Sequence, residues 1–356
     1  MGEALASSPL LEVRDLVKYF PLPHTLLDVA LRRAPEHVRA VDGVSLSLGR
    51  GQTLGLVGES GCGKSTLGRC LLRLHDADRG EVRFDGVDLM KLGETELAPY
   101  RKRMQVVFQD PYASLDPRQR VAAMLREVLD VHGIGAPSTR HRRVDELLLQ
   151  VGLSPADGHK YPGEFSGGQR QRVGIARALA VEPELLIADE PLSALDVSIQ
   201  AQILQLLLDL RASLGLTIIF ISHDLRVVRY LSDEVAVMYL GTIVERAPTA
   251  ELFARPQHPY TVALLSAVPE VGGVRRELAP IEGEPPSAVR VPSGCRFHPR
   301  CPWRIERCQR ESPQLDELLP RHHVACHVAA DSLAACRDGD LDIGTHGTKM
   351  REVPRI

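Results

Sequence analysis

The chain has 356 residues, enough for one large α/β domain and a smaller one, with 44% hydrophobic residues and a formal net charge of −3. That balance supports a buried core and gives no general electrostatic reason to expect nucleic-acid binding. No run of about 18 apolar residues is present, so a membrane span is not expected. The opening MGEALASSPLLEVRDL has neither a basic n-region nor an apolar core, so a secretory signal is not expected. Seven cysteines, four of them clustered, fit a reducing compartment with a metal site better than a disulfide scaffold, which predicts a cytoplasmic protein.

Residues 10–20, LLEVRDLVKYF, alternate loosely as a strand, and after a Pro-interrupted stretch over 21–39, AVDGVSLSL reads as a second. TLGLVG (53–58) is a short apolar run ending in glycine, the pattern of a buried strand entering a turn. GESGCGKST (58–66) follows at once and leads into helical spacing at Leu67, Cys70, Leu71 and Leu74. This is G-x-x-x-x-G-K-[ST] between strand and helix. In that context the glycines let backbone N–H groups curl around phosphate oxygens, and the helix N-terminus adds positive potential. Outside that context the same letters would be a plain Gly-rich turn. Lys64 would reach the β- and γ-phosphates of a nucleotide and Ser65 would ligate Mg²⁺. Cys62 reads as a small loop residue rather than a redox brake, and Cys70 as helix core.

MQVVFQ (104–109), ELLIAD (184–189) and LTIIFIS (216–222) read as three further buried strands. Between the last two, Ile199, Ile203, Leu206, Leu207, Leu210 and Leu214 form one face of an amphipathic helix. Strands alternating with helices predict an α/β fold, a mainly parallel sheet with helices on both faces. LLIADEP (185–191) sets Asp189 at a strand end, where a carboxylate can hold Mg²⁺ through water, and Glu190 beside it, able to polarise an attacking water. Adjacent acids after a strand more often mark a solvated turn; together with the loop at 58–66 they point to nucleotide hydrolysis.

Around residue 265 the character changes. Residues 269–300 hold many Pro, Gly and Arg with little periodicity, which marks a loop-rich appendage. Within and beyond it, Cys295, Cys301, Cys308 and Cys326 have the spacing C-x5-C-x6-C-x17-C. Structural zinc sites show a tighter hook of about C-x2–4-C. Four thiolates can instead hold a [4Fe–4S] cluster, for which the spacing is broader. Zinc and unligated thiols remain alternatives. Arg296, Arg300, Arg304 and Arg307 would offset the negative charge of such a cluster, and Cys336 would be the spare thiol. Its role would be structural, tying together a segment with too little apolar periodicity to make its own core. The last sixteen residues read as a flexible tail.

FSGGQRQR (165–172), SALD (193–196) and FISHD (220–224) separate this chain from kinases and small GTPases. Over roughly residues 10–265 it resembles the ATP-binding subunits of ABC transporters. SGGQ matches the family signature, with Phe165 where leucine is commoner; SALD matches the D-loop, His223 the switch histidine and Gln109 the Q-loop glutamine. The resemblance implies a P-loop NTPase domain with a helical signature subdomain, and two subunits joined head to tail around two ATP molecules. Gly58, Ser60, Gly61, Gly63, Lys64, Ser65 and Thr66 would hold one nucleotide. Ser166 and Gly168, at a helix N-terminus, would face the nucleotide on the partner subunit. The resemblance further implies Glu190 as general base, His223 as contact to the γ-phosphate, and Gln109 as ligand to Mg²⁺ and water. Asp196 would organise the opposed site. An aromatic, Phe20 or Tyr19, would stack on adenine, and Phe20 has the family's usual spacing from Lys18.

This engine also drives DNA repair and translation, so the fold does not decide the function. About a hundred residues between Lys64 and Ser166 leave no room for long coiled coils, and a single P-loop argues against two-cassette translation factors. FQDPYASLDPR (108–118), PQHPYTVALLSAVP (256–269) and the cysteine-rich C-terminus resemble oligopeptide and dipeptide importer ATPases, particularly the second ATPase of the pair, some of which carry an iron–sulfur cluster on these cysteines. That implies a subunit whose ATP hydrolysis powers import of di- or oligopeptides through two separate permease subunits. A second homologous ATPase and an extracytoplasmic substrate-binding protein would complete the complex, with this chain peripheral on the cytoplasmic face of the membrane. Importers of nickel and some sugars share the subfamily, and a soluble regulatory ATPase is the alternative outside transport. The implied division is 1–265 for the nucleotide-binding domain (signature subdomain at about 110–180), 266–340 for the cysteine-bearing extension and 341–356 for the tail. A permease helix would dock at 108–118, where Asp110, Pro111, Asp116 and Pro117 favour a loop.

Overall fold

The computed structural model describes residues 8–23, 35–110, 115–193, 195–266 and 283–329. Pro111, Ser114, Cys336 and the expected tail lie outside the described residues. Strand β3 (Thr53–Val57) lies inside an eight-stranded sheet, between β8 (Thr217–Ile221) and β9 (Glu234–Tyr239) and parallel to both. Strands β7 (Leu185–Asp189) and β6 (Met104–Val107) extend the parallel part beyond β8. On the other side β10 (Thr242–Pro248), β12 (His322–Val324) and β11 (Asp316–Leu319) continue it antiparallel.

The central strands carry no polar alternation because both their faces are covered. Successive side chains point to opposite faces. Leu186, Ala188, Ile218, Phe220, Val235 and Val237 enter one apolar cluster, whereas Leu185, Ile187, Ile219, Ile221, Ala236 and Met238 enter another. The first cluster is completed by the helices α3 (Val121–Val131), α4 (Arg140–Gln150), α5 (Gly167–Leu179) and α6 (Val197–Leu214). On α6 the expected stripe is buried at Ile203, Leu206, Leu207 and Leu210, while Leu214 at its end is exposed.

The second cluster packs helix α1 (Lys64–Leu71) against a separate four-stranded antiparallel sheet. That sheet contains β1 (Leu11–Pro21), β2 (His37–Leu48), β4 (Arg79–Phe84) and β5 (Val87–Asp88). The parallel sheet and the first two strands are those expected from the sequence, but this second layer is not. RGEVRF of β4 is half polar, and its partner β1 lies far away in sequence. Helices α2 (Glu94–Arg103), α7 (Leu225–Leu231), α8 (Thr249–Ala254), α9 (Pro259–Ser266) and α10 (Arg307–Arg310) complete the described α-helices. Among the described residues no helix is long and apolar enough to cross a membrane.

The C-terminal segment joins the same structure. Cys295, Phe297, Cys301 and Cys308 share the first apolar cluster with Tyr239 and Tyr260. The Phe297 ring stands edge-on to Tyr239 at 5.3 Å and 5.4 Å from Tyr260. Glu245 on β10, fully buried, accepts hydrogen bonds from the backbone of Gln257 (2.7 Å) and His258 (2.9 Å) and pairs with His322 Nε2 on β12 at 2.7 Å.

Candidate active site

β3 is followed by Gly58, whose φ of +151° opens the turn, and Gly63 at φ +108° closes it before α1. Both must be glycine: a Cβ at Gly58 would lie 2.1 Å from the Met238 carbonyl oxygen, and one at Gly63 1.9 Å from that of Ala40. Ser60 and Gly61 form the exposed crown of the loop, and Thr66 is half-buried in the first turn of α1. Lys64 is buried, its Nζ donating to the carbonyls of Gly58 (2.8 Å) and Glu59 (2.9 Å). Cys62 is buried beneath the loop and Cys70 in the helix core, and burial raises both thiols, Cys70 to about 11. Neither has the character of a reactive cysteine.

The Ser65 hydroxyl donates to Asp189 Oδ1 at 2.8 Å. Asp189 is buried at the end of β7, and desolvation raises its carboxyl above the ordinary range even though the Ser65 hydrogen bond opposes this. Glu190, the next residue, has φ +47°, a left-handed conformation that a residue with a Cβ adopts only under constraint. Its N–H is held by the Ile221 carbonyl at 3.0 Å. Two side chains meet its Oε2: Gln109 Nε2 at 3.2 Å and His223 Nδ1 at 3.4 Å. One carboxylate oxygen thus collects the three residues expected to be catalytic.

Ser166, Gly168 and Asp196 form a second group, at the starts of two packed helices. Ser166 caps α5, accepting from Gln169 N–H at 3.3 Å while its own N–H donates to Gln169 Oε1 at 3.0 Å. Gly168 lies so close to α6 that a Cβ would come within 2.3 Å of Ile199 Cγ2. Asp196 caps α6, accepting from Ile199 N–H at 3.0 Å and the Ser198 hydroxyl at 2.8 Å, and these bonds lower its carboxyl. Of the two aromatic candidates, Tyr19 donates its hydroxyl to Asp42 Oδ1 at 2.5 Å. The half-buried Phe20 ring stands edge-on to His75 at 5.5 Å, with the Lys18 ammonium 5.3 Å from its centroid.

Three residues to which the motifs give no role at the loop bear on it. The Glu59 carboxylate receives a two-pronged ion pair from Arg300, at 2.8 and 3.0 Å, and the Glu59 N–H donates to the Tyr260 hydroxyl at 2.8 Å. No local pattern could reveal contacts between residues 241 and 201 positions apart. The same finding corrects the counter-charge role expected of the arginines. Arg296 pairs with Asp42 and donates to the Leu240 carbonyl, Arg300 pairs with Glu59, and Arg307 pairs with Glu311 at 2.6 Å. The charge of Arg304 favours the Cys301 thiolate.

Cys295, Cys301, Cys308 and Cys326 are all unbridged. The N–H of Cys295 donates to the Cys308 carbonyl at 2.8 Å. Burial raises the Cys295, Cys301 and Cys326 thiols, the last two to about 12, and the neighbouring cysteines add to the effect. The four are therefore close enough to sense one another's charge. Among the described residues, however, no three His, Cys, Asp or Glu side chains are arranged to hold a single metal ion. The ligand set expected from the sequence is gathered into one lobe but not displayed as a formed metal centre.

Residues 41–193 match the family model described as ABC transporter, and residues 244–308 that described as oligopeptide/dipeptide transporter, C-terminal region. The oligopeptide transport ATP-binding protein AppF of Bacillus subtilis is 50% identical over 323 residues, covering 90% of this chain and 97% of that protein. The probable peptide ABC transporter ATP-binding protein y4tS of Sinorhizobium fredii is 50% identical over 330 residues, 92% of each chain. Among solved structures, the dimeric post-hydrolysis state of the ATP-binding cassette MJ0796 bound to ADP and Pi matches with a TM-score of 0.59 at 28% identity, covering 67% of this chain and 98% of that one.

Proposed function

The chain belongs to the ABC transporter ATP-binding proteins, and on that premise we propose that it is the ATP-hydrolysing subunit of an importer of di- and oligopeptides. The observation that carries the reading is the convergence of Gln109 and His223 on Glu190, one residue beyond the Ser65–Asp189 contact. Glu190 takes the proton of the attacking water, which neighbouring Gln109 orients. His223 contacts the γ-phosphate. The loop at 58–66 holds the phosphates through its backbone N–H groups, and Lys64 turns from the loop carbonyls to the β- and γ-oxygens. Ser65, Asp189 and Gln109 offer hard oxygens suited to Mg²⁺, which neutralises charge on the triphosphate when bound. Phe20 stacks on adenine; Tyr19 is already committed to Asp42.

Ser166 and Gly168, with the start of α5 behind them, face the nucleotide held by a partner ATPase. Asp196 borders the same opposed site. The dimeric cassette among the structural neighbours and the N-terminal position of both residues support this head-to-tail pairing. We assign the partner to a second, homologous ATPase and the membrane route to two permease subunits served by an extracytoplasmic binding protein. A permease helix docks beside Gln109, where Val106, Phe108, Gln171, Gly174 and Arg177 line a groove between β6 and α5. The chain then sits peripherally at the cytoplasmic face. The division into a nucleotide-binding domain at 1–265, an extension at 266–340 and a tail belongs to the same reading.

For the cysteines we propose a [4Fe–4S] cluster held by Cys295, Cys301, Cys308 and Cys326. Three buried thiols and a half-buried fourth, all unbridged and within electrostatic reach of one another, in a lobe with few regular elements, support it. The transport reading is tested by reconstituting the complex in vesicles and following uptake of labelled peptide. Uptake should require ATP and stop in Glu190→Gln; ATP-driven uptake of nickel or sugar instead, or an active ATPase that never partitions with membranes, would reassign the cargo or the class.

A further inference from the structure

The phosphate loop carries an acid where its ligand is an anion. Glu59 is the second residue of GESGCGKST, and its backbone carbonyl holds the ammonium of Lys64 at 2.9 Å. A bare carboxylate on this lip would repel a triphosphate, most strongly in a site partly shielded from water. It is not bare. Arg300 meets it with both terminal nitrogens, the geometry in which a guanidinium fixes a carboxylate's position as well as its charge. The Arg300 side chain is 7% exposed, against 25% for Glu59, so the pair is fixed from the protein side. Arg300 also donates to the Tyr239 hydroxyl at 3.4 Å, and Tyr239 packs against Tyr260, whose own hydroxyl receives the Glu59 N–H. Both ends of Glu59 are thus set by residues beyond position 258, outside the strand–loop–helix unit that defines the motif.

A second ion pair brings the same segment to the loop from the other side. Arg296 pairs with Asp42. The Asp42 N–H donates to the Gly241 carbonyl at 2.8 Å, and the Gly241 N–H to the Cys62 carbonyl at 2.9 Å. The run from Arg296 to Arg300 therefore touches the phosphate loop directly at Glu59 and through two backbone bonds at Cys62.

We propose that Arg300 is a positioning residue of the ATP site: it neutralises Glu59 and fixes the lip of the phosphate loop, so that the cysteine-rich lobe supplies part of the site's affinity for a nucleoside triphosphate. The inference rests on the ATP-binding reading of the loop. Arg300 acts through Glu59 and touches no reacting atom. Its charge matters because Glu59 is charged, which separates this role from simple packing.

The experiment compares ATP and ADP affinities of the full-length protein and of Arg300→Gln, Arg300→Lys, Glu59→Gln and the double variant Glu59→Gln/Arg300→Gln. Titration calorimetry is run at low and at physiological salt, with iron content and the emission of Trp303 as checks that the lobe is intact. Arg300→Gln should weaken ATP about tenfold, ADP less, with the loss seen in KM for ATP more than in kcat and reduced by salt. Arg300→Lys should retain most of the affinity. The double variant should return to within about threefold of the parent, because the unpaired carboxylate is gone. Glu59→Gln alone leaves Arg300 unbalanced and should bind ATP as tightly as the parent or tighter. That variant keeps the test decisive if Arg300→Gln does not fold. Unchanged affinity in Arg300→Gln, a double variant as weak as the single, or a tenfold loss in Glu59→Gln would each overturn the proposal. A parent protein that binds no ATP would remove the underlying reading and this inference with it; a parent that binds while all variants match it removes this inference alone.

Discussion

Ser65 and Asp189 are joined by a 2.8 Å hydrogen bond, so the first turn of α1 and the last residue of β7 meet at the place proposed for a metal-bound triphosphate. Asp189 is buried there, and desolvation raises its pKa in the folded state. An acid with a raised folded-state pKa contributes stability while protonated and loses it as pH rises through that value. At neutral pH the ionised Asp189 is thus a burden on the nucleotide-free fold. Asp189→Asn should raise the Tm by about 2 °C at pH 8, with a smaller gain at about pH 4, near the ordinary carboxyl value where the window opens, while lowering Mg²⁺-dependent ATP hydrolysis at least about 100-fold. Thermal melts at the two pH values check it; equal gains at both would remove titration of Asp189 as the cause.

Glu190→Gln should keep ATP binding and lose turnover by about 10²–10⁴-fold. With hydrolysis blocked, ATP should drive the variant and its partner ATPase into a complex of twice the mass on size exclusion. Turnover at the parent rate would take Glu190 out of the reaction.

The two loop glycines at 61 and 63 should respond differently to alanine. Both have positive φ, +78° and +108°, but a Cβ at Gly61 meets open space while one at Gly63 meets a backbone oxygen at 1.9 Å. Gly61→Ala should cost about 1–2 kcal/mol, the strain of the left-handed conformation alone. Gly63→Ala should cost more, about 3 kcal/mol or above, and abolish ATP binding because the backbone must shift. Urea denaturation with ATP titration compares them, and equal costs would contradict the crowding against Ala40.

Glu245→Ala removes the acceptor for the buried His258 N–H and the half-buried Gln257 N–H, and the buried partner of His322. Breaking a buried pair by deleting one partner costs about 3–5 kcal/mol. The loss should appear in urea unfolding, and hydrogen exchange should show β12 released from β10. A cost below about 1 kcal/mol would mean that the site rehydrates.

Trp303 is the single tryptophan of the sequence and stands between Cys301 and Cys308. Protein purified without oxygen should be brown, absorb near about 400 nm and hold about four irons per chain, with Trp303 emission quenched. Stripping the iron should restore the emission. A colourless anaerobic preparation with one equivalent of zinc would replace the cluster by a single ion.

How much of this is legible in the sequence depends on the range of each interaction. TLGLV, LLIAD and TIIFI announce strands covered on both faces, because burial on both sides leaves no polar alternate position. Gln109, Asp189, Glu190 and His223 stand at or beside strand ends, where short motifs mark them, and the fold brings Gln109, Glu190 and His223 together. The antiparallel layer escapes notice because β4 is half polar and pairs with β1 across more than sixty residues. Arg296 and Arg300 have cysteines as their nearest neighbours in sequence, yet their partners are Asp42 and Glu59. Charge partners chosen by the tertiary fold leave no periodicity to find.

The Glu59–Arg300 pair also orders events during synthesis. The two residues are 241 positions apart, and Glu59 is made first. At about 5–20 residues per second, the phosphate loop waits roughly 12–50 s for the arginine that neutralises it. Through that interval the nascent chain carries a nucleotide loop whose own acid opposes the ligand. On the proposed role of Arg300, ATP then binds the emerging cassette about tenfold more weakly, and the full affinity comes only once the cysteine lobe has folded back against the loop.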